Sequence, residues 1–393
     1  MLAIENKKDE SNRLFYSLHG YAAERIVTMS NPSDNTAGQT LPAVDFEQIR
    51  KLVSSEFQIK EALIEQGVPT FYLTQPQETK QAFLRVLKKL EPMNLIALLR
   101  READKLVVRI LPKPTVKPSN ILVNWALFFI TIATTFVTGY ELSPSEINRF
   151  VGGLSFMVAI MAVLGIHEMG HKITANKKDI AATSPYFIPG PPPLLGGFGT
   201  FGAVIMQKSL PVNKDALFDV GADGPIAGFF VATVVSVIGL MLAIPSPPVQ
   251  ATEIGLPVML TILNGLLNSL KLMPKAPPGG LLLLHPVALA GYIGMLVTML
   301  NLLPAAMLDG GHVARSVLGE RVNLRLVLAI LAIVYLGVEG LILMAFLVVF
   351  MLFLKYPGPL DDVSGLSKNR KLVALGLVAI FVLCTIPPFA PIL

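Results

Sequence analysis

Gly165-Ile166-His167-Glu168-Met169-Gly170-His171 closes a hydrophobic run that begins near Phe150. It places the pattern H-E-x-x-H inside a helix of membrane length. Residues four apart share one face of a helix, so the imidazoles of His167 and His171 reach one metal ion. Glu168, beside the first of them, is placed to act as general base for a water activated at that ion. The plainer reading is two core histidines and a stray glutamate. It is disfavoured because a Glu and two His within a lipid-facing span are costly.

The rest of the chain fits such a span. Its 393 residues are 53% hydrophobic and only 15% charged, too apolar for an ordinary soluble enzyme. The long apolar runs gather after residue 119. A formal charge of +5 suits basic loops at a membrane better than a nucleic-acid surface, so no nucleic-acid partner is expected. The single cysteine, Cys384, excludes a disulfide framework and a Cys-rich zinc site. Any metal must therefore use His, Asp or Glu. The first 30 residues show no pattern of a cleavable signal peptide.

Three regions follow. Residues 1–41, with Ser30-Asn31-Pro32-Ser33-Asp34-Asn35-Thr36, read as a flexible segment. Residues 42–118 read as a small soluble α/β domain and linker. Phe46 to Gly67 has helical spacing, and Thr70 to Leu73 reads as a strand. Glu78 to Arg101 reads as an amphipathic helix, and Leu106 to Leu111 as a second strand. Pro112, Pro114 and Pro118 stiffen the linker. Nothing here points to catalysis, and the one histidine, His19, reads as a surface residue. Residues 119–393 read as a polytopic membrane domain. Spans are expected at about 120–140, 150–173, 222–244 and 285–303, with a continuous apolar run over 326–354 and a last segment over 371–390. The Pro/Gly-rich stretch from Pro185 to Val204 is too broken for a helix. The expected fold is thus a mainly α polytopic membrane protein with a short re-entrant β/loop element and a small α/β N-terminal domain.

Charge sets the orientation. Arg109, Lys113 and Lys117 precede the first span, and Lys172, Lys177 and Lys178 follow the second, so the N-terminal domain and the His167 end face the cytoplasm. The 326–354 run is long for one helix and is interrupted by Gly337-Val338-Glu339-Gly340. A tight hairpin turning near Glu339, with the C-terminus outside, is expected. The alternative is one tilted helix with the C-terminus inside.

A second cluster, Asn301-Leu302-Leu303-Pro304-Ala305-Ala306-Met307-Leu308-Asp309-Gly310-Gly311-His312, closes the 285–303 span. Two histidines give zinc only two ligands, and catalytic sites commonly use three. Asp309 is the best remaining carboxylate. Gly310 and Gly311 permit backbone conformations that turn it toward the metal, and Pro304 breaks the helix just before it. His312 is a further candidate ligand, ranked below Asp309. Asp309 must lie at the depth of the histidines, which requires 256–273 to be re-entrant or interfacial. Asn264, Asn268 and Lys271 interrupt that piece accordingly. His285 reads as an interfacial helix cap and Lys172 as an interfacial anchor.

HEMGH together with NLLPAAMLDGG resembles the site-2 protease family of intramembrane zinc metalloproteases. Gly199-Thr200-Phe201-Gly202-Ala203-Val204-Ile205, Gly224-Pro225-Ile226-Ala227-Gly228 and His285-Pro286 are similar as well, so the likeness covers roughly 120–393. The resemblance implies one zinc ion per chain held by His167, His171 and Asp309, with Glu168 as the base. It implies that Asn301 and Pro304 hold the substrate or the Asp-bearing loop, and Gly199 and Gly202 are assigned to the same kind of role. The N-terminal unit resembles the archaeal, cyanobacterial and plastid-type branch. Many bacterial members carry a PDZ domain between the third and fourth core spans; residues 245–284 are too few for one. The family often has an Asn near the Gly-Pro of the third span, where this chain has Gly228, so no catalytic role is assigned there.

The implied activity is zinc-dependent cleavage of transmembrane segments, in regulated proteolysis or membrane-protein turnover. The implied partners are a single-span membrane-protein substrate and the lipid bilayer. The expected location is the plasma membrane of a prokaryote, with a plastid membrane as the alternative. Phe198 to Met206 offers a strand edge to an extended substrate or is a simple membrane-dipping loop. Two rival classes stay open. Broken helices and buried carboxylates also occur in transporters, although no inverted repeat is visible. An inactive member acting as a membrane scaffold is the other.

Overall fold

The computed structural model describes residues 46–115, 119–248, 255–305, 308–319 and 358–387, together with 330 and 349. The flexible segment expected over 1–41, His19, and the turn expected near Glu339 in the 326–354 run lie outside the described residues. The chain divides into two compact units, 1–113 and 114–393.

The first unit is a four-stranded antiparallel sheet with helices on one face. Helix α1 (Phe46–Ser54) precedes β1 (Ile59–Glu65) and β2 (Val68–Leu73); α2 (Lys80–Leu90) precedes β3 (Leu95–Glu102) and β4 (Lys105–Pro112). The sheet order is β1-β2-β4-β3. Phe71, Leu99, Val108 and Ile110 point to the helix face and meet Ile49, Val53, Phe83 and Val86 in the core. Both helices expected from the sequence overran. Phe46 to Gly67 is helix only to Ser54, because Gln66 (φ 50) and Gly67 (φ 78) make the tight turn of a β1–β2 hairpin. Glu78 to Arg101 is helix only to Leu90; Asn94, at φ 53, ends it and starts β3.

The second unit is helical. Helix α3 (Ile121–Glu141) leads to α4 (Arg149–Lys177), then to the hairpin β5 (Tyr186–Pro189) and β6 (Thr200–Val204). Helix α5 (Lys214–Met241), β7 (Ile244–Ser246), α6 (Val258–Ser269), β8 (Leu281–Leu283) and α7 (Pro286–Asn301) follow, then α8 (Asp309–Leu318) and α9 (Lys368–Cys384). Among the described residues three helices, α3, α4 and α5, are long and apolar enough to cross a membrane, at 21, 29 and 28 residues. Trp125, Phe129, Phe150, Val158 and Phe230 stand exposed on them, as lipid-facing side chains would. Asn213 caps α5 through a bond from the Ala216 amide, so that helix starts before the expected 222 and carries Pro225 inside.

Helix α5 is the hub, packed against α4, α7 and α8. Helix α7 has 16 residues, not the 19 of the expected span, and is buried along most of its length. Helix α6 has 12 residues, about 18 Å of helix, which is short of the ~30 Å hydrocarbon layer. Just after α5 ends, Ile244 of β7 pairs with Leu283 of β8, just before α7 begins. The chain therefore starts α7 at the end where it left α5. That return brings Asn301 and Asp309 back to the level of the histidines.

Candidate metal centre

The centre is built from α4, the α7–α8 corner and the buried face of α5. His167, Glu168 and His171 lie on α4 and are all buried. Their helix begins at Asn148, whose side chain accepts from the Phe150 and Val151 amides. His167 Nε2 and His171 Nε2 are 3.1 Å apart. Asp309 Oδ2 lies 3.3 Å from the first and 3.1 Å from the second. Bonds of 2.0–2.1 Å in a tetrahedron put ligand atoms about 3.3 Å apart. These three edges therefore fit a zinc-sized ion.

The protonation pattern agrees with that fit. His171 Nδ1 lies 2.7 Å from the Val220 carbonyl, which can only accept, so Nδ1 carries the proton. In the neutral ring Nε2 then keeps its lone pair, facing Asp309 and His167, the form a metal ligand requires. Two glycines of α5 form the floor. A Cβ at Gly224 would fall inside the His171 imidazole, and one at Gly228 would meet His167 Nδ1. Only glycine lets α5 pass this close to both rings. One Glu168 carboxylate oxygen, Oε2, is buried with no hydrogen-bond partner among the described residues. The backbone of Ile205, just past β6, interacts with the same carboxylate. Two imidazole nitrogens, a carboxylate and an unsatisfied buried glutamate form a donor set suited to a metal and a water.

Asp309 does not reach the centre by a flexible Asp-Gly-Gly turn, as the sequence suggests. It opens α8, and Gly310 and Gly311 are helical. Gly310 is needed for space, because a Cβ there would run into the Leu302 and Leu303 carbonyls. Asn301, at the end of α7, has Nδ2 3.2 Å from His167 Nε2, at the rim of the centre. Pro304 lies in the corner between α7 and α8. His312 is buried on α8 beside Gly221, and the cluster able to hold a metal ion comprises His167, His171 and Asp309 without it.

Gly199 and Gly202 lie on the β5–β6 hairpin with φ of 76 and 101, and only the first is packed, against Thr134 and Thr138 of α3. The hairpin is braced along α3. Asn124 Nδ2 donates to the Ser184 and Pro185 carbonyls at 3.1 and 2.9 Å, and the Thr134 hydroxyl donates to the Gly199 carbonyl at 2.6 Å. Lys172, expected as an interfacial anchor, donates its ammonium to the Ala182 carbonyl. His285 caps α7, its Nδ1 accepting from the Val287 amide.

The sequence reading missed Val220, Asn124 and Thr134, and it gave Gly224 and Gly228 no place in the site. The last two carried a signal, since glycines four apart in an apolar helix mark a close helix approach. A carbonyl such as Val220's carries none.

Residues 155–346 match the model of peptidase family M50. The chain is 28% identical over 315 residues to Probable zinc metalloprotease EGY2, chloroplastic, of Arabidopsis thaliana, covering 76% of this chain and 55% of that protein. It is 31% identical over 185 residues to Probable zinc metalloprotease EGY1, chloroplastic, of Oryza sativa subsp. japonica, covering 46% and 31%. It is 24% identical over 217 residues to Probable zinc metalloprotease EGY3, chloroplastic, of Oryza sativa subsp. indica, covering 52% of this chain and 36% of that protein. The chain spans about half the length of the first of these curated relatives. No solved structure matches it.

Proposed function

From a chain whose residues 155–346 form a peptidase family M50, or site-2 protease, domain and which is homologous to plastid zinc metalloproteases, we propose a zinc-dependent endopeptidase that cleaves membrane-spanning segments within the bilayer. The observation that carries this reading is the buried, unpartnered Glu168 oxygen beside three converging ligand atoms.

His167, His171 and Asp309 would hold one zinc ion per chain. Zinc, when bound, supplies a Lewis acid that polarises the scissile carbonyl and makes water a stronger acid. Glu168 takes the proton of the attacking water and delivers it to the leaving amine. Burial leaves its Oε2 without a donor among the described residues, so that oxygen is open to receive the proton. Val220 holds the His171 ring by its Nδ1–H. Asn301, beside His167, orients the substrate carbonyl.

A helical substrate hides its peptide bonds and must unwind first. Strand β6 pairs with β5 on one side, and the chain just beyond it runs to Glu168. An extended substrate strand added along β6 would be led to the base. Gly202 is buried, but a Cβ there would meet nothing within 4 Å, which leaves space on that side of β6.

The substrate is a single-span membrane protein, and the chain is polytopic. The catalytic work belongs to 119–393 and the N-terminal unit is a soluble appendage. The chloroplastic relatives favour a plastid membrane over a prokaryotic plasma membrane.

Glu168→Gln in the full chain tests the reading. Zinc content should stay at the wild-type level while single-span proteins accumulate uncut in the membrane, with cleavage slowed about 10²–10⁴-fold. Cleavage by the variant at the wild-type rate rules out the protease. Restored function in cells without cleavage would favour the scaffold or the transporter.

A further inference from the structure

The segment from Gly358 to Arg370 touches two of the helices that build the metal centre, α8 and α5, without contributing a ligand. Its first contact is with α8, the helix that opens with Asp309. Arg315 Nη2 lies 2.6 Å from Asp362 Oδ2, and that carboxylate is 2% exposed. Gly358, at φ 79, lies against the same guanidinium. Lys214, the first residue of α5, approaches Asp362 from the other side at 3.7 Å. The backbone joins in, with the Leu360 and Asp361 amides donating to the Pro211 and Val212 carbonyls.

Its second contact is with α5 one turn further on. Arg370 donates through Nε and Nη2 to the two oxygens of Asp219, each at 2.6 Å. This paired geometry fixes orientation as well as distance. Arg370 Nη1 also reaches Asp215 at 3.0 Å, and the Ser367 amide donates to Asp215 at 3.0 Å. Lys178, at the end of α4, completes the knot with Asp219 at 2.8 Å. The residue after Asp219 is Val220, whose carbonyl fixes the His171 ring.

We propose that Gly358–Arg370 is a strap that sets the ligand geometry, with Arg370 acting on His171 through Asp219 and Val220, and Asp362 acting on Asp309 through Arg315. Both are positioning residues. Asp219 is held between α4 and α9, so the turn of α5 carrying the Val220 carbonyl cannot rotate away from His171. Arg315 fixes the far end of α8 while Asp309 occupies its first turn. The inference rests on the zinc reading above. It adds that the C-terminal part of the chain governs how tightly the metal is held.

The test uses the full-length, zinc-loaded protein in a bilayer or detergent, with zinc loss to a chelator as the readout. Arg370→Gln and Asp362→Asn should each lose zinc about ten- to a hundredfold more readily, the range for residues that orient ligands indirectly. Arg370→Lys, which keeps the charge but not the paired geometry, should fall between and serves if Arg370→Gln does not fold. Cobalt in place of zinc adds a spectroscopic check. The visible bands should shift in Arg370→Gln but not in Glu146→Ala, which removes from the loop between α3 and α4 the acceptor of the Ser246 hydroxyl's hydrogen bond. Wild-type zinc retention and cobalt bands in folded Arg370→Gln, Arg370→Lys and Asp362→Asn overturn the strap. A wild-type chain that holds no zinc overturns the metal reading, and the strap with it.

Discussion

His171 Nδ1–H donates to the carbonyl of Val220 at 2.7 Å, across the interface of α4 and α5. In the neutral ring the bond selects the tautomer with its proton on Nδ1, so that Nε2, 3.1 Å from Asp309, is the nitrogen available to a metal. It makes the backbone of α5 part of the site although α5 supplies no ligand.

The ligand set is tested by two alanine variants. Asp309→Ala should lose zinc, with affinity falling by more than about a hundredfold, because two imidazoles alone hold the ion poorly. His312→Ala should keep it. Metal analysis of the purified variants reads the difference, and the opposite pattern would move the third ligand to His312.

The close passage of α5 gives a second expectation. Gly224→Ala and Gly228→Ala place a methyl group against the rings of His171 and His167. Overpacking of this kind costs about 1–3 kcal/mol, and the rings must tilt to relieve it. Zinc should be lost more readily in both variants, whereas Gly376→Ala, where a Cβ meets nothing within 4 Å, should behave as wild type. Chelator competition on the three proteins checks this.

The hairpin should matter for cleavage and not for metal. Asn124→Leu removes both bonds to the Ser184 and Pro185 carbonyls. Leaving these partly buried carbonyls unpaired costs up to about 1–3 kcal/mol each, and the hairpin should come loose from α3. Zinc content should be unchanged while cleavage of a membrane substrate drops. Undiminished cleavage by a folded Asn124→Leu protein would exclude the hairpin from substrate handling.

Membrane sidedness follows from the ion pairs. Asp219 joins Lys178 at the end of α4 to Arg370 at the start of α9. In a Cys384→Ser background, cysteines at Asp179 and Gly365 should therefore be labelled from the same side, and one at Glu141 from the other. Labelling of Asp179→Cys and Gly365→Cys from opposite sides would contradict the packing of α9 on α5.

How much of this was legible beforehand depended on how local each feature is. His167 and His171 face together because four residues of helix put them there. Hydropathy alone marks α3, α4 and α5, since lipid solvates apolar side chains whatever the rest of the chain does. Asp309 stood out as a carboxylate at the end of an apolar run. The first unit was harder. The sequence around Leu63 and Leu98 satisfies helical and strand spacing alike over so short a stretch. The choice between them lies with cross-strand partners such as Leu63–Thr70 and Leu98–Arg109.

By itself, then, the sequence determined the membrane helices and the chemistry of the ligand side chains. The tertiary structure decided the rest: the Val220 carbonyl on His171, the glycine floor under both rings, the helical start of α8 that aims Asp309, and the Arg370–Asp219 link. These are backbone groups, missing side chains and partners far apart in the chain. A carbonyl looks the same at every residue, and a glycine does not name what it makes room for. Only the packing of α4, α5 and α8 against one another gives either of them a role.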